Sequence, residues 1–583
     1  MWLKNLSPLF PYLKKYRSAY VWGTLCVLIM NGIWILFPLV LRRAINDLGT
    51  RETLHKVGID VLLLLAVAAI KGVFQYLTRW IVIGASREIE FDLRNDMFRH
   101  LESLSHSFYQ RTRTGDIMAR STNDLNAVRM LLGPGLMYPA STFAFMAGAL
   151  FFMLHISPKL TFYAFLPLPI LSIIVQYFGR RIHERFERIQ AMFSEISARA
   201  QENFSGVRVI RAYTQEDAEI ANFETSNREY IARSLKLVRL MGMLWPTLET
   251  MLGLAIVLVL WIGGREVLHH NISVGDFVAF NTYMVQLTFP IIAMGWIISI
   301  YQRGTASLLR IHELMMEKPE IEDAPGVKPV GEEVQGEIEF RNLTFSYSAD
   351  AAPVLHDINL RIPAGSSLAI VGPTGSGKTT LVNLIPRIYD ADPGTVLIDG
   401  KPLRAYALAD LRRNIGFVPQ ETFLFSETIR ENIAFGVQNA ADDDIRWAAE
   451  AANIACDIEE FPEKYKTIVG ERGITLSGGQ KQRTAIARAL IRSPRILILD
   501  DALSSVDTHT EDKILNHLRE VMQGRTTIFI SHRVSTVRNA NRIAVLHSGR
   551  IVELGTHDEL IARNGYYTDL YNKQLLEEEL AEV

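Results

Sequence analysis

The sequence predicts two joined modules. The first is an N-terminal all-α membrane domain of six transmembrane helices with long cytoplasmic extensions; the second is a C-terminal α/β domain built around a phosphate-binding loop. Three observations carry this prediction. Six long apolar stretches fall within residues 1–302 of the 583, and none follows. Charge divides at about the same place: residues 1–320 hold 33 Lys+Arg against 25 Asp+Glu, whereas residues 321–583 hold 28 against 38. The second half also contains Gly372-Pro373-Thr374-Gly375-Ser376-Gly377-Lys378-Thr379, a full match to the phosphate-loop pattern. A content of 49% hydrophobic and 21% charged residues excludes the disordered, collagen-like and coiled-coil classes. Two cysteines, Cys26 and Cys456, exclude a disulfide framework and leave no metal-ligand spacing.

Taken in order, Ala19–Leu41 is free of charge, and its 23 residues suffice to cross a ~30 Å hydrocarbon core. Its length and the lack of a small-residue cleavage site argue for an anchor over a signal peptide. Val61–Gly84 is interrupted only by Lys71 and Arg79, and Leu240–Gly264 only by Glu249. Met130–Pro158, Leu160–Gly179 and Phe277–Gln302 carry no charge at all. The expected spans are 19–41, 57–84, 130–157, 160–179, 240–264 and 277–302, within a membrane domain over 1–316. Pro158 and Lys159 are expected to form the tight turn between the third and fourth. Ionisable groups at membrane depth face a cavity, each other or the interface. Of Lys71, Arg79, Glu249 and Arg303, the candidate for touching a cationic substrate is Glu249, beside Trp245-Pro246.

Arginine is concentrated between spans two and three and again between spans four and five, which places both connections and both termini in the cytoplasm. These connections are nearly free of proline and repeat apolar residues at helical spacing, as in Ile89, Leu93, Met97, Leu101 and Leu104. They read as membrane helices that continue into the cytoplasm. Each is expected to turn sharply, near Thr114-Gly115-Asp116 in one and near Gly206 or Tyr213 in the other.

Residues 317–336 are charged and contain Pro and Gly, as a linker does. The nucleotide-binding domain is expected over 337–575, with a short tail over 576–583. The buried strand Leu368–Val371 runs into the phosphate loop and then into an apolar helix. Glycines let backbone N–H groups converge on phosphate oxygens, and the helix N-terminus favours the anion. Lys378 is expected to reach the β- and γ-phosphates, with Thr380 alongside, and the Thr379 hydroxyl to ligate Mg²⁺. A second apolar strand, Ile496–Leu499, ends in Asp500-Asp501. Asp500 suits the Mg²⁺ and Asp501 lies where an attacking water is expected.

Leu476-Ser477-Gly478-Gly479-Gln480, between those motifs, resembles the ABC transporter signature. Together with the six spans, it makes the whole chain resemble the ATP-binding cassette half-exporters of the multidrug and lipid-flippase type. The resemblance implies ATP and Mg²⁺ as cofactors and a second half-transporter chain as partner. It also implies membrane lipids around the spans, a small hydrophobic or amphipathic cargo, no nucleic acid, and a place in the cytoplasmic membrane. By the family's pattern Tyr347 stacks on adenine, and Gln420 links Mg²⁺ to the membrane domain. His532 contacts the γ-phosphate, and Ser504–Asp507 forms the loop crossing to the opposite cassette. Glu471-Arg472-Gly473 matches the segment that touches the stalk tips; Gly115-Asp116 and Arg208–Gln215 match those tips.

One position departs from the pattern. The family places glutamate after the Mg²⁺-binding aspartate, and this chain has Asp501. A carboxylate set back by about 1 Å can lose ~10²-fold in rate. In this respect the chain resembles the degenerate-site subunit of heterodimeric bacterial multidrug exporters, whose intact signature serves the partner's site. A homodimeric lipid or peptide exporter, with Asp501 as a working carboxylate, is the alternative. A nucleotide-gated channel on the same scaffold is a third reading, which conductance recordings would separate from a pump.

Overall fold

The computed structural model describes residues 6–49, 54–348, 351–470, 473, 475–503, 514, 517, 523–531 and 537–582. The expected sites at Glu471, Arg472, Ser504, Asp507 and His532 lie outside the described residues. The chain falls into two compact units, residues 1–99 with 115–316 and residues 100–114 with 317–583.

Six long helices dominate the first unit: α1 (Arg17–Gly49), α2 (Leu54–Ser103), α3 (Pro134–Ile156), α4 (Leu168–Ser205), α5 (Glu216–Leu268) and α6 (Val274–Met316). Each lies in a continuous helical stretch long and apolar enough to cross a membrane. At 50 and 53 residues, α2 and α5 reach about 75–80 Å at 1.5 Å per residue, far more than a bilayer needs. Prolines 38, 139, 246 and 290 all lie inside helices. Neighbouring helices can satisfy the backbone groups that such prolines free. Tyr283 on α6 also ties α6 to α1, donating its hydroxyl to Ile35 O near Pro38 at 2.7 Å. An apolar core of Ile35, Phe145, Met153, Leu160, Val259 and Phe280 fills the bundle beside it.

Two sequence expectations need correction. The break between the third and fourth spans is Ser157, extended at φ −161° and ψ 109°, while Pro158 and Lys159 already begin the helix Pro158–Phe165. The Ser157 hydroxyl caps that helix by accepting from Leu160 N–H, and proline suits a first helical position because its missing N–H would have no partner there. The first stalk turn also lies earlier than expected. A short helix, His106–Arg111, is set off by breaks at 104–105 and 112–113, and Thr114 already starts the next helix. The second turn is the helix Val207–Ala212, bounded by Gly206 and Tyr213.

The second unit carries two sheets. The four-stranded antiparallel sheet joins β1 (Ile338–Phe345), β2 (Leu355–Ile362), β4 (Val396–Ile398) and β5 (Lys401–Pro402) in the order β2-β1-β4-β5. The six-stranded sheet joins β3 (Ser367–Val371), β6 (Ile415–Val418), β7 (Ile496–Asp500), β8 (Thr526–Ile530), β9 (Arg542–His547) and β10 (Arg550–Gly555) in the order β10-β9-β3-β8-β7-β6. It is parallel except for β10. Strands buried on both faces read as continuous apolar runs. Alternate residues feed two cores: Ala369, Leu497, Leu499 and Phe529 enter one, and Leu368, Ile370, Ile496, Ile498, Ile528 and Ile530 the other. The carboxyl ends of β3, β7 and β8 are thereby brought to one rim, where open α/β sheets place their ligands.

Candidate nucleotide site

The loop Gly372–Gly377 leaves β3 and enters α7 (Lys378–Asn383). Its three glycines have φ of 150°, 80° and 99°. A Cβ on Gly372 would lie 2.0 Å from Leu546 O, and one on Gly377 2.8 Å from Leu355 Cδ2. The loop therefore needs glycine for both conformation and space. Lys378, only 7% exposed, bends back over the loop and donates to Gly372 O and Pro373 O, both at 2.9 Å. Burial pushes its ammonium below the ordinary value, against the pull of the Asp500 and Asp501 carboxylates.

Asp500 ends β7 and is 1% exposed. Its Oδ1 accepts from Thr379 Oγ1 at 3.2 Å, and its Oδ2 is buried without a partner. Burial raises its pKa and Asp501 adds to the rise, while the Thr379 bond and Lys378 oppose it. Asp501 follows at φ 47°, its N–H donating to Ile530 O at 3.0 Å. A cavity of about 260 Å³ gathers Thr374–Thr380, Gln420, Asp500 and Asp501. Gln420, 80 residues before Asp500, is thus brought to the same space.

Tyr347 is 47% exposed. Its hydroxyl lies 2.7 Å from Thr380 Oγ1, and its ring meets Phe345 and Tyr389 edge-on at 5.3 and 5.0 Å. The sequence reading missed Tyr389. It supports Tyr347 on one side and meets His106 of the stalk-tip helix at 5.8 Å on the other. Nothing in the local sequence marks this aromatic, since its neighbours come from strands and a helix far away in the chain.

Ser477 is the N-cap of α8 (Gly478–Leu490) and forms a capping box with Gln480. The Ser477 hydroxyl accepts from Gln480 N–H at 3.2 Å, and Gln480 Oε1 accepts from Ser477 N–H at 3.0 Å. Gln480 also donates to Asp457 Oδ1, which Arg483 holds as well. None of Leu476–Gln480 lines the phosphate-loop cavity. A helix N-terminus is thus held in order apart from the chain's own phosphate loop. Glu249 lines a separate, largely apolar cavity of about 150 Å³ in the first unit, with Trp245, Met251, Phe165 and Met284.

Comparison with known proteins agrees with this geometry. The ABC transporter transmembrane region matches residues 20–291, and the ABC transporter domain matches residues 355–504. The chain is 37% identical over 580 residues to the "probable multidrug resistance ABC transporter ATP-binding/permease protein YheI" of Bacillus subtilis (strain 168), covering 98% of each. It is 37% identical over 516 residues to an "ATP-dependent lipid A-core flippase" of Desulfotalea psychrophila, covering 88% of this chain and 89% of that one. Among solved structures, an ATP-bound "bacterial Atm1-family ABC exporter" matches with a TM-score of 0.77 and 29% identity, over 96% of this chain and 98% of that chain. The protein belongs to the ABC transporters: it is a multi-pass exporter chain whose membrane domain is fused to an ATP-binding, ATP-hydrolysing domain.

Proposed function

We propose that this chain is one half of a dimeric exporter moving a drug-like or lipid-like amphipathic cargo across the cytoplasmic membrane, with both termini and the ATPase domain in the cytoplasm. Its partner is a different half-transporter chain, and the ATP site on this chain's phosphate loop is the slow one. Asp501 carries this reading. It faces the same cavity as Lys378, Thr379 and Asp500, but its carboxylate is one methylene shorter than the glutamate of the family pattern.

In this reading Tyr347 stacks on the adenine, and the loop N–H groups with Lys378 hold the phosphates. The donor set suits Mg²⁺: the buried, unpartnered Asp500 Oδ2, the Thr379 hydroxyl and the Gln420 amide are hard oxygen ligands around one cavity. Bound Mg²⁺ would supply neutralisation of phosphate charge. His532 would contact the γ-phosphate and Ser504–Asp507 would cross to the opposite cassette. Asp501 would orient the attacking water from too far back, which accounts for slow turnover. Leu476–Gln480 would complete the partner's site with the α8 N-terminus. Because ATP favours the closed pair of cassettes, binding itself would shift the membrane domains from inward- to outward-facing.

The second stalk tip supports the need for a partner: Phe204, Val209 and Tyr213 are 79%, 61% and 73% exposed, an apolar surface that calls for a cover. The homodimer remains the second reading, because Asp501 still puts a carboxylate in the cavity. Cysteines at Thr374 and Ser477, both exposed, separate the two in a background lacking the exposed Cys456. A homodimer oxidises to a covalent pair of identical chains when ATP is added. A heterodimer gives no such pair of identical chains, with or without the partner chain. Efficient self-crosslinking would sink the heterodimer proposal.

A further inference from the structure

Three aromatic rings cluster where the nucleotide reading needs a platform for the base. Phe345 ends β1 and is buried, Tyr347 has nearly half its surface exposed, and Tyr389 comes half-buried from the segment after α7. Ring centres lie 5.3 Å apart for Phe345 and Tyr347, 5.0 Å for Tyr347 and Tyr389, and 6.3 Å for Phe345 and Tyr389. Tyr347 meets both neighbours nearly at right angles, at 81° and 79°. Such edge-to-face pairs are favourable because the positive rim of one ring meets the negative face of the other. The Tyr347 hydroxyl is held as well, 2.7 Å from Thr380 Oγ1 of α7. These three contacts fix the tilt of the ring, and the rest of its surface is open.

Tyr389 can impose an orientation only if it is itself fixed, and the turn that carries it is tied from two directions. Arg387 is 2% exposed and left-handed at φ 51°. Its guanidinium forks onto the Asp390 carboxylate, Nε to Oδ1 at 2.8 Å and Nη2 to Oδ2 at 3.0 Å, so that the pair brackets Tyr389 in the chain. From the helix Leu408–Arg413, Arg412 donates to the carbonyl oxygens of Pro386 and Arg387 at 3.0 and 2.8 Å. Charge-assisted and bidentate bonds are strong ones, and the planar arginine fork loses little freedom in making them. The Tyr389 ring also meets His106 of the stalk-tip helix at 5.8 Å. Burial raises the Tyr389 phenol above its ordinary value and Tyr347 adds to the rise, while the Gln110 amide of the tip helix opposes it as a donor. Tyr389 does not line the phosphate-loop cavity, so phosphate binding gives no reason for this anchoring.

We infer that Tyr389 is the positioning residue of the adenine platform: it sets the tilt of the Tyr347 ring on which the base stacks, and it acts on nucleotide affinity only through that ring. The inference rests on the stacking role proposed for Tyr347. It adds a residue that touches no part of the nucleotide, and it confines the effect of that residue to the base.

The test uses the full chain in phosphatidylcholine nanodiscs. It is titrated with a ribose-labelled fluorescent ATP, which is then displaced by unlabelled ATP or by inorganic tripolyphosphate, the phosphates without the base. Tyr389→Ala should weaken ATP by about 3- to 10-fold, as the loss of one aromatic pair implies, and leave tripolyphosphate within about twofold. Tyr389→Leu fills the space without a ring, keeps the fold, and should behave as the alanine variant does. Tyr389→Phe retains the ring and should bind ATP as the wild-type chain does. In a Tyr347→Ala background, adding Tyr389→Ala should have no further effect, because its route to the base is gone. Equal losses for ATP and tripolyphosphate, a loss in Tyr389→Phe as large as in Tyr389→Ala, or additive losses in the double variant would each overturn the inference. Tyr347→Ala alone separates it from the reading beneath it. If that variant weakens ATP but not tripolyphosphate while Tyr389→Ala and Tyr389→Leu weaken neither, the stacking role stands and the positioning role falls. If Tyr347→Ala leaves ATP affinity unchanged, the stacking role falls and takes the inference with it.

Discussion

Replacing Asp501 by glutamate should increase ATP turnover of the chain, by an amount the local geometry bounds. Asp501 hangs from a fixed point: Asp500 pairs in register with Ile530 across β7 and β8, and the Asp501 N–H is tied to Ile530 O at 3.0 Å. With the Cα held at φ 47°, an added methylene extends the side chain into the cavity instead of pushing the backbone away. The gain in reach is about 1 Å, and a displacement of that size at a reacting group is worth about 10²-fold. At 1.36 kcal/mol per tenfold, that is about 2.7 kcal/mol of activation free energy. The assay is phosphate release by the wild-type chain and Asp501→Glu, each purified alone in lipid, with Lys378→Ala as the background. Slow wild-type turnover and a gain near 10²-fold would make Asp501 the limiting group. A gain below about threefold, worth only ~0.6 kcal/mol, would refute the reasoning. Fast wild-type turnover would do the same, because the aspartate would then already reach the water.

Three further outcomes follow from the same structure. Lys378→Ala removes the cation that crosses the phosphate loop, and should weaken ATP binding by at least about 10²-fold in equilibrium binding with a fluorescent ATP analogue. Gly372→Ala would put a Cβ 2.0 Å from the Leu546 carbonyl oxygen, so the loop must shift; nucleotide binding should fall as far as in Lys378→Ala, with a lowered melting temperature that Lys378→Ala lacks. Asp410, 2% exposed, accepts the N–H groups of Val330 and Gly331 at 2.8 and 3.1 Å and ties that segment to the helix Leu408–Arg413 within the second unit. These bonds, the Val330 one foremost, hold its carboxyl below the usual range against the opposing effect of burial. A depressed acid contributes stability above its unfolded pKa of ~3.9 and loses it as pH falls through the folded value. Asp410→Asn keeps an oxygen that can accept both N–H groups but loses the charge, and should therefore melt lower than the wild-type chain at pH 7, by the ~1 kcal/mol that separates a charge-assisted from a neutral hydrogen bond. The gap should narrow once the pH drops below 4 in parallel thermal melts.

The sequence was most legible where one short segment sets its own structure. Charge-free runs longer than a bilayer needs can hardly be anything but spans, and Gly372–Thr379 fixes its loop because the three glycine conformations are local. Legibility ended where partners come from distant segments. Asp500 meets Thr379 across 121 residues, and only the interposition of β8 between β3 and β7 sets their spacing. Tyr389 against Tyr347 had no local mark at all. Chain breaks were misplaced by a few residues for a physical reason. Proline at 158 was read as a turn because it ends helices, yet it also starts them. Likewise Gly115 attracted the expected stalk turn, while the chain turns through Leu104–Ser105 and Thr112–Arg113 without a glycine.

The charges inside the membrane domain follow the same division. From sequence, Lys71, Arg79 and Glu249 are three isolated intrusions into apolar spans, and Glu249 stands out only through its neighbours Trp245 and Pro246. The fold separates them into different cavities, so they do not neutralise one another. An internal ion pair would have been the cheaper arrangement in hydrocarbon, and α2 could form one by carrying an acid at position 75, one turn from each cation. It carries glutamine there, and the neighbouring Thr78 hydroxyl is left unbonded. Of the groups on that face of α2 only Thr78 is buried, while Lys71 is half-buried and Arg79 exposed. Whatever cargo the membrane domain takes can shift a conformational equilibrium only by the difference in its affinity for the two states.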